Sequence, residues 1–216
     1  MSVTFVEPRA ETNPAWLDAV VDLHLRWFGD YAYAVPELVD NGTLPAVREG
    51  RVVHQILALV DDIPAGYLVV HTNLVRQVGV IHFLAVDEPF RSVQVGGTRL
   101  AQALVDYGMA LTVVDAEEHG LEPFLGVVAE SEDDMVPTWQ RWGYEQLPVE
   151  YREPHYGVRW PEHGEPTFFH RVLVAAPPPG LALDPAACAR AGAAAFLLDH
   201  YRLPPDHPDV DWLRRG

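Results

Sequence analysis

The spacing of hydrophobic positions changes several times along the chain, and each change marks a predicted element. Residues 3–6 alternate weakly and predict a first strand. Thr12 and Asn13 precede Pro14, a cap and first-turn signal. From there Trp16, Leu17, Val20, Val21, Leu23 and Leu25 recur at helical spacing, which predicts an amphipathic helix over residues 14–28. A short second helix is expected over residues 35–39, broken by Asn41-Gly42. Three strand-like runs follow at residues 52–60, 65–73 and 78–86, the first two joined by the turn Asp61-Asp62-Ile63-Pro64.

After Val86 the period switches. Residues 90–97 read as a loop, and from Gly97 onward Leu100, Ala103, Leu104, Tyr107, Leu111 and Val114 fall on one helical face as far as Gly120. Residues 122–129 predict a buried strand, and residues 133–142 a short helix stopped by Gly143. Two last strands are expected at residues 144–151 and 167–175, separated by a connection rich in Pro, Gly and His. Pro177-Pro178-Pro179-Gly180 is a stiff break, and residues 185–201 form an Ala-rich amphipathic helix before a Pro-rich tail. This order predicts an α+β (mixed α/β) fold with one sheet, because strands and helices do not alternate as a doubly wound fold requires. Residues 1–178 are expected to form the domain, and residues 179–216 a C-terminal helical extension.

Composition narrows the choice of partner. The chain has 216 residues, 49% of them hydrophobic, enough for a packed core. Every basic residue is arginine, and 15 of them face 31 acidic residues, for a net charge of -16. Such a surface repels a phosphate backbone and an anionic membrane, and attracts a cationic small molecule. Solubility alone gives the same charge. The single cysteine, Cys188, excludes an internal disulfide framework and a multi-cysteine zinc site; its Ala-rich setting suits a small core or interface residue. Ten histidines include no H-E-x-x-H pattern, so no metal is expected. His54, His71 and His82 are the histidines that adjacent strands could bring together. No basic n-region opens the chain and no apolar run approaches 18 residues, which predicts a soluble cytoplasmic protein.

The segment over residues 81–104 is the most informative. A strand ends in a tight loop with an arginine at its start and small residues at its end, and the loop feeds a helix. Unpaired backbone N–H groups around residues 92–97, backed by a helix dipole, make an anion site suited to a diphosphate. Gly96 and Gly97 let a phosphate approach the backbone, while Arg91 and Arg99 can add charge-assisted bonds. Two glycines before a helix also serve a simple tight turn. Neither the G-x-G-x-x-G pattern nor the P-loop fits, the latter because the chain has no lysine.

L-A-V-D-E-P-F-R-S-V-Q-V-G-G-T-R-L resembles motif A of the GNAT superfamily of acyl-CoA-dependent N-acyltransferases. Leu84, Ala85, Val86, Pro89, Phe90, Arg91 and Gly96 match it, with the proline displaced by one residue. Gln94 stands in the usual first-glycine slot, and Gly97 where Ser or Ala is commoner. The later W-Q-R-W-G-Y is similar to the family's Y-x-x-x-G-(F/Y) ending, and the element order agrees over about residues 3–175. The resemblance implies a central, mostly antiparallel mixed sheet flanked by helices, with acetyl-CoA and a small primary amine as substrates. It implies that Leu84, Ala85 and Val86 offer backbone groups to the pantetheine arm. Arg91, Ser92, Val93, Gln94, Val95, Gly96, Gly97 and Thr98 would hold the pyrophosphate. The far side of that cleft is expected at residues 125–129, with Ser131 and Glu132 at the next helix start.

Direct attack of an amine on a thioester needs a base, a polarised carbonyl and a route for the departing thiolate's proton. His82 is the expected base, two residues before Leu84 on the strand facing the thioester. A histidine packed beside the core gives the same pattern. Glu88 and Glu130 are weaker bases, expected in solvent together with the acidic run that includes Glu132, Asp133 and Asp134. The family's usual tyrosine acid would fall four residues before Gly143, where this chain has Trp139, whose indole cannot relay a proton. Tyr144, Tyr151, Tyr156 or water is left for that part, with Tyr144 first. Residues 28–50 and 152–166 are expected to shape the acceptor pocket. The 179–216 arm could cover the cleft, exchange between copies in a homodimer, or hang free. A non-catalytic CoA-binding or partner-binding module on the same scaffold is the rival expectation.

Overall fold

The computed structural model describes residues 1–156 and 166–214; the expected connection over residues 152–166 falls mostly outside them. The strands are β1 (Val3–Val6), β2 (Val47–Arg48), β3 (Arg51–Val60), β4 (Ile63–Asn73), β5 (Val78–Val86), β6 (Gln94–Val95), β7 (Thr98–Arg99), β8 (Val127–Ser131), β9 (Glu145–Gln146), β10 (Tyr151–His155) and β11 (Thr167–Ala176). The helices are α1 (Pro14–Trp27), α2 (Val35–Thr43), α3 (Leu100–Glu118), α4 (Val136–Arg141) and α5 (Pro185–Ala194). The main sheet runs β1-β3-β4-β5-β8-β11-β10, with β2 on β3 and β9 on β11. Its β1–β3, β8–β11 and β10–β11 pairs are antiparallel, and β5–β8 is parallel, so the expected mixed, mostly antiparallel α+β architecture is what the chain adopts.

Two compact units emerge from the contacts: Met1–His71 with His82–Leu111, and Thr72–Ile81 with Thr112–Gly216. In the first, β3 and β4 are buried almost throughout because helices cover both faces. Leu57, Leu59, Tyr67 and Val69 pack against Val20, Leu23 and Leu38 of α1 and α2. On the opposite face Leu68 and Val70 pack under Gly108 of α3, where a Cβ would lie 2.4 Å from the Leu68 side chain. This double cover explains the continuous apolar runs of both strands.

In the second unit, β8 and β11 carry a core closed by α5. Val78, Val80, Val128, Leu173, Ala175, Cys188, Ala193 and Phe196 are all buried in it. Asp184 caps α5 by accepting from the amides of Ala186 and Ala187 at 3.1 and 3.0 Å. Gly192 brings that helix onto β8: a Cβ there would stand 2.8 Å from the Val128 side chain. The helix then loosens into a π-type turn at Ala195–His200. The segment after the proline break therefore supplies core to this unit.

Several boundaries differ from the sequence expectation. The second helix does not break at Asn41-Gly42 but runs to Thr43. Asn41 is buried and bonded to Gln55, and Gly42 sits under Leu17, so tertiary contacts hold both residues helical. The strand expected over residues 122–129 starts only at Val127, because Gly126 takes φ 118° with the Ala176 carbonyl where a Cβ would be. The strand expected over residues 144–151 is two short pieces, β9 and β10, parted around Pro148. The long helix starts at Leu100 rather than Gly97. Cys188 is buried, with its thiol 3.2 Å from the Leu125 carbonyl.

Gly66 tests how tightly β4 meets β5. A Cβ there would lie 2.6 Å from the Ala85 carbonyl, a backbone atom that cannot move aside. Gly66→Ala should cost about 1–3 kcal/mol by denaturant titration. Gly29→Ala, which meets nothing within 4 Å, should leave the midpoint unchanged.

Candidate active site

The first unit assembles the strand, loop and helix that the sequence singled out. Side chains alternate along β5. Phe83 and Ala85 pack on the α1–α2 core, which turns His82 and Leu84 to the other face. There the His82 ring lies 4.2 Å from that of His71 on β4, which is buried. His54 is not part of this pair: its Nδ1 lies 2.5 Å from the Glu7 carboxylate. Among the described residues no three His, Cys, Asp or Glu side chains come together as a metal site would require.

The end of β5 is fixed by the Asp87 amide, which donates to the Ala65 carbonyl at 2.8 Å. The Asp87 carboxylate accepts from Arg26 at 2.6 Å and from the Trp27 indole at 3.2 Å. Arg91 does not project freely. Its guanidinium lies 4.4 Å over the Trp27 ring, and its Nε lies 3.4 Å from the Val86 carbonyl.

The loop itself departs from the expected row of unpaired amides. Val93 donates to Phe90 at 3.0 Å, and Gln94 and Val95 pair with Arg99 and Thr98 as a two-stranded hairpin. Gly96 and Gly97 are the hairpin's two turn residues, at φ 59° and 92°, a region where glycine has no steric penalty. Thr98 turns its hydroxyl back to the Val95 carbonyl at 2.8 Å. The Leu100 amide reaches Val93 at 2.9 Å and seats α3 on the hairpin's base. No backbone bond holds the Ser92, Gly96 or Gly97 amide among the described residues, and space around both glycine α-carbons is open. A 19-residue helix follows, with its dipole directed along the chain from this loop. The backbone amides left without a backbone partner here are thus fewer than expected, at Ser92 and the two glycines of the turn.

Beside β5, His24 organises the aromatic end of α1. Its Nε2 lies 2.9 Å from the Tyr31 carbonyl, which can only accept, so Nε2 carries the proton. Nδ1 then accepts from the Tyr67 hydroxyl at 2.8 Å. The ring stands edge-on to Phe83 at 4.8 Å, and Phe28 and Tyr31 close around Phe83 at 5.3 and 6.3 Å. Burial lowers the His24 pKa from its ordinary value, against the opposing pull of the Tyr31 carbonyl. The expected acceptor segment over residues 28–50 therefore starts on a wall of packed rings.

The second unit holds the other expected residues. Trp139 is buried, 4.8 Å ring to ring from Tyr144 and 5.2 Å from Trp142. Tyr144 is also buried. Ser131 is buried with its hydroxyl on the Glu132 carbonyl, and Glu132 lies 3.6 Å from Arg171. Glu130, expected in solvent, is instead only partly exposed, and its carboxylate pairs with the Tyr151 and Tyr201 hydroxyls. The cause is strand alternation, which puts Glu130 with Val128 on the face that α5 covers. The β5–β8 ladder pairs Gly79, Val80 and Ile81 with Val127, Val128 and Ala129 and ends there, while β5 itself continues to Val86.

Of the three histidines expected to converge, His71 and His82 meet and His54 does not. Trp27, Asp87 and Tyr201 escaped the sequence reading, because each acquires its meaning from a partner dozens of residues away and no spacing rule reaches that far.

No protein-family model matches the chain, and no curated protein matches it. Solved structures do. A GNAT-family protein from Bacteroides thetaiotaomicron is 13% identical over 93% of this chain and 99% of its own, with a TM-score of 0.60. An aminoglycoside 6'-N-acetyltransferase solved with coenzyme A is 14% identical over 84% of this chain and 99% of its own, with a TM-score of 0.54. Ard1 from Thermoplasma volcanium is 17% identical over 82% and 99%, with a TM-score of 0.51. At these identities the likeness concerns architecture: the chain has the fold of the GNAT acetyltransferases.

The His24 geometry has a measurable consequence. A histidine kept neutral in the folded state binds fewer protons than in the unfolded chain below its ordinary pKa of 6.5. Stability is therefore full above pH 6.5 and falls as the pH drops below it. The Tm should decline between pH 7 and 5.5, and His24→Gln should flatten that decline while costing about 1–3 kcal/mol at pH 7.5.

Proposed function

We infer that the chain is an acyl-CoA-dependent N-acyltransferase, moving an acetyl group from acetyl-CoA to the primary amine of a small molecule by direct attack. The observation that carries the reading is the run from β5 through the glycine turn into α3, with the Ser92, Gly96 and Gly97 amides without backbone partners among the described residues, set in a GNAT-type fold. The fit to a diphosphate rests on the open space at both glycines and on the dipole of α3. Leu84, Ala85 and Val86 offer strand backbone to the pantetheine arm. Arg91, stacked on Trp27 at the loop's base, lends positive potential on an otherwise acidic chain.

In the reaction the neutral amine nitrogen attacks the thioester carbonyl carbon. A C–N bond forms and the C–S bond breaks, leaving CoA as its thiolate. His82 accepts the proton that the nitrogen gives up, and Tyr144 or solvent returns one to sulfur. Alignment of amine and thioester supplies a further part of the rate. The acidic surface favours a cationic amine as acceptor, and no described helix is long and apolar enough to cross a membrane, which accords with a cytoplasmic enzyme.

A second reading, a CoA-binding module without transfer, is favoured by Trp139 in the family's tyrosine slot, where it is buried. Tight acetyl-CoA binding without thiol release over a panel of amines would select it.

By calorimetry, Gly96→Glu should weaken acetyl-CoA binding at least about tenfold, or 1.4 kcal/mol, by placing a carboxylate where the diphosphate lies. Equal affinity of the two proteins rejects the loop assignment. His82→Ala should lower kcat/KM by about 10²–10⁴-fold and remove the acidic limb of its pH profile. An unchanged limb removes His82 as the base.

A further inference from the structure

In the polar cluster under the C-terminal segment, two tyrosine hydroxyls stand against three carboxylate oxygens. Glu130 Oε1 accepts from the Tyr151 hydroxyl. The Tyr201 hydroxyl lies 2.9 Å from Glu130 Oε2 and 3.2 Å from Glu153 Oε1. Arg171 Nε lies 2.8 Å from Glu153 Oε2. Tyr151, Glu153 and Tyr201 are buried and Glu130 is partly exposed, so an unmatched contact on the inner side of the cluster is costly.

A tyrosine hydroxyl has one hydrogen to give, yet two carboxylate oxygens lie within reach of Tyr201. With both carboxylates ionised, one of those close O···O contacts has no hydrogen between its atoms. With one added proton, each of these three contacts holds a hydrogen. Glu153, which takes the Arg171 guanidinium, stays ionised and accepts the Tyr201 hydrogen. Glu130 then carries a proton on Oε2 and donates it to the Tyr201 oxygen, while its Oε1 accepts from Tyr151. Three contacts then hold three hydrogens.

We propose that Glu130 is a neutral carboxylic acid that latches Tyr201, and with it the chain from Tyr201 onward, onto β8, and that losing this proton releases that stretch. The claim is independent of the acyl-transfer reading. The other charged and titratable groups around the latch are Glu153 of β10, Arg171 of β11, Glu132 at the end of β8, and His200, whose ring lies 4.8 Å from that of Tyr201. On the preceding turn Asp199 pairs with Arg76 at 3.0 Å and accepts from Asn73 at 2.8 Å, which holds the chain up to His200 independently of Glu130 and leaves the part from Tyr201 onward to the latch. Burial first, and the nearby Glu153 carboxylate second, push the Glu130 carboxyl from 4.5 to about 8.

The sign follows from linkage. The latched form holds the proton up to about pH 8, whereas a released, hydrated Glu130 loses it above 4.5. Release thus becomes more favourable as pH rises between these values, by up to about tenfold per pH unit, and levels off above the upper one.

The test uses the full chain. The carboxyl carbon-13 resonance of Glu130 should titrate with a midpoint above pH 7; a midpoint below pH 6 overturns the proposal. Trypsin cleavage after Arg202, normalised to an unstructured peptide of the same sequence, should accelerate from pH 6 to 8 and then level off. In Glu130→Gln the amide can donate to Tyr201 and accept from Tyr151, so cleavage should stay slow and flat over that range. Faster opening of Glu130→Gln than of wild type at pH 6.5 shows that an ionised Glu130 holds the segment, and a retained wild-type pH slope shows that another group controls release; either result refutes the latch.

Discussion

The close approach of β5 to β4 governs the candidate site. Gly66 leaves room for the Ala85 carbonyl, and the Asp87 amide closes onto Ala65 at 2.8 Å just after the strand ends. A side chain at residue 66 would push β5 outward. These contacts fix the direction in which the chain leaves the sheet, and hence where the glycine turn and α3 begin. Asp87 then serves twice, with its amide in the sheet and its carboxylate holding Arg26 and Trp27. Arg91 settles on Trp27 as a consequence.

Both units treat polar groups as structural parts. In the first, His24 spends both ring nitrogens on Tyr31 and Tyr67 and so ties the turn after α1 to β4. In the second, Thr72 bonds Asp115 in the interior, and Glu130, Glu153 and Arg171 sit among tyrosines. A buried polar group is tolerated only when satisfied, and each of these sets is closed by residues from three or more chain segments or by two distant ones. Such closure makes the local arrangement specific where apolar packing alone would permit sliding.

Much of the fold was legible in the sequence. The runs over residues 52–60, 65–73 and 78–86 became β3, β4 and β5 with shifts of at most two residues at either end. Long apolar stretches bounded by turn residues have few alternatives to a covered strand. Boundaries moved where a distant contact outweighed a local preference. Asn41-Gly42 stayed helical because Leu17 and Gln55 lie against them, and Gly126 delayed β8 because the Ala176 carbonyl lies beside it. The glycine pair before α3 was visible, but its use as a hairpin turn was not, since both uses need the same positive φ.

What the sequence determined by itself was periodicity and punctuation: which segments are strands, where α1, α3 and α5 lie, and that a glycine turn precedes α3. Those follow from backbone sterics and the hydrophobic effect acting over a few residues at a time. Tertiary structure alone decided that Glu130 meets Tyr151 and Tyr201, that His54 stays away from His71 and His82, and that Arg91 stacks on Trp27. Each of those depends on how strands and helices distant in sequence are brought face to face, and an ionisable side chain takes its chemistry from that neighbour and from the water it loses.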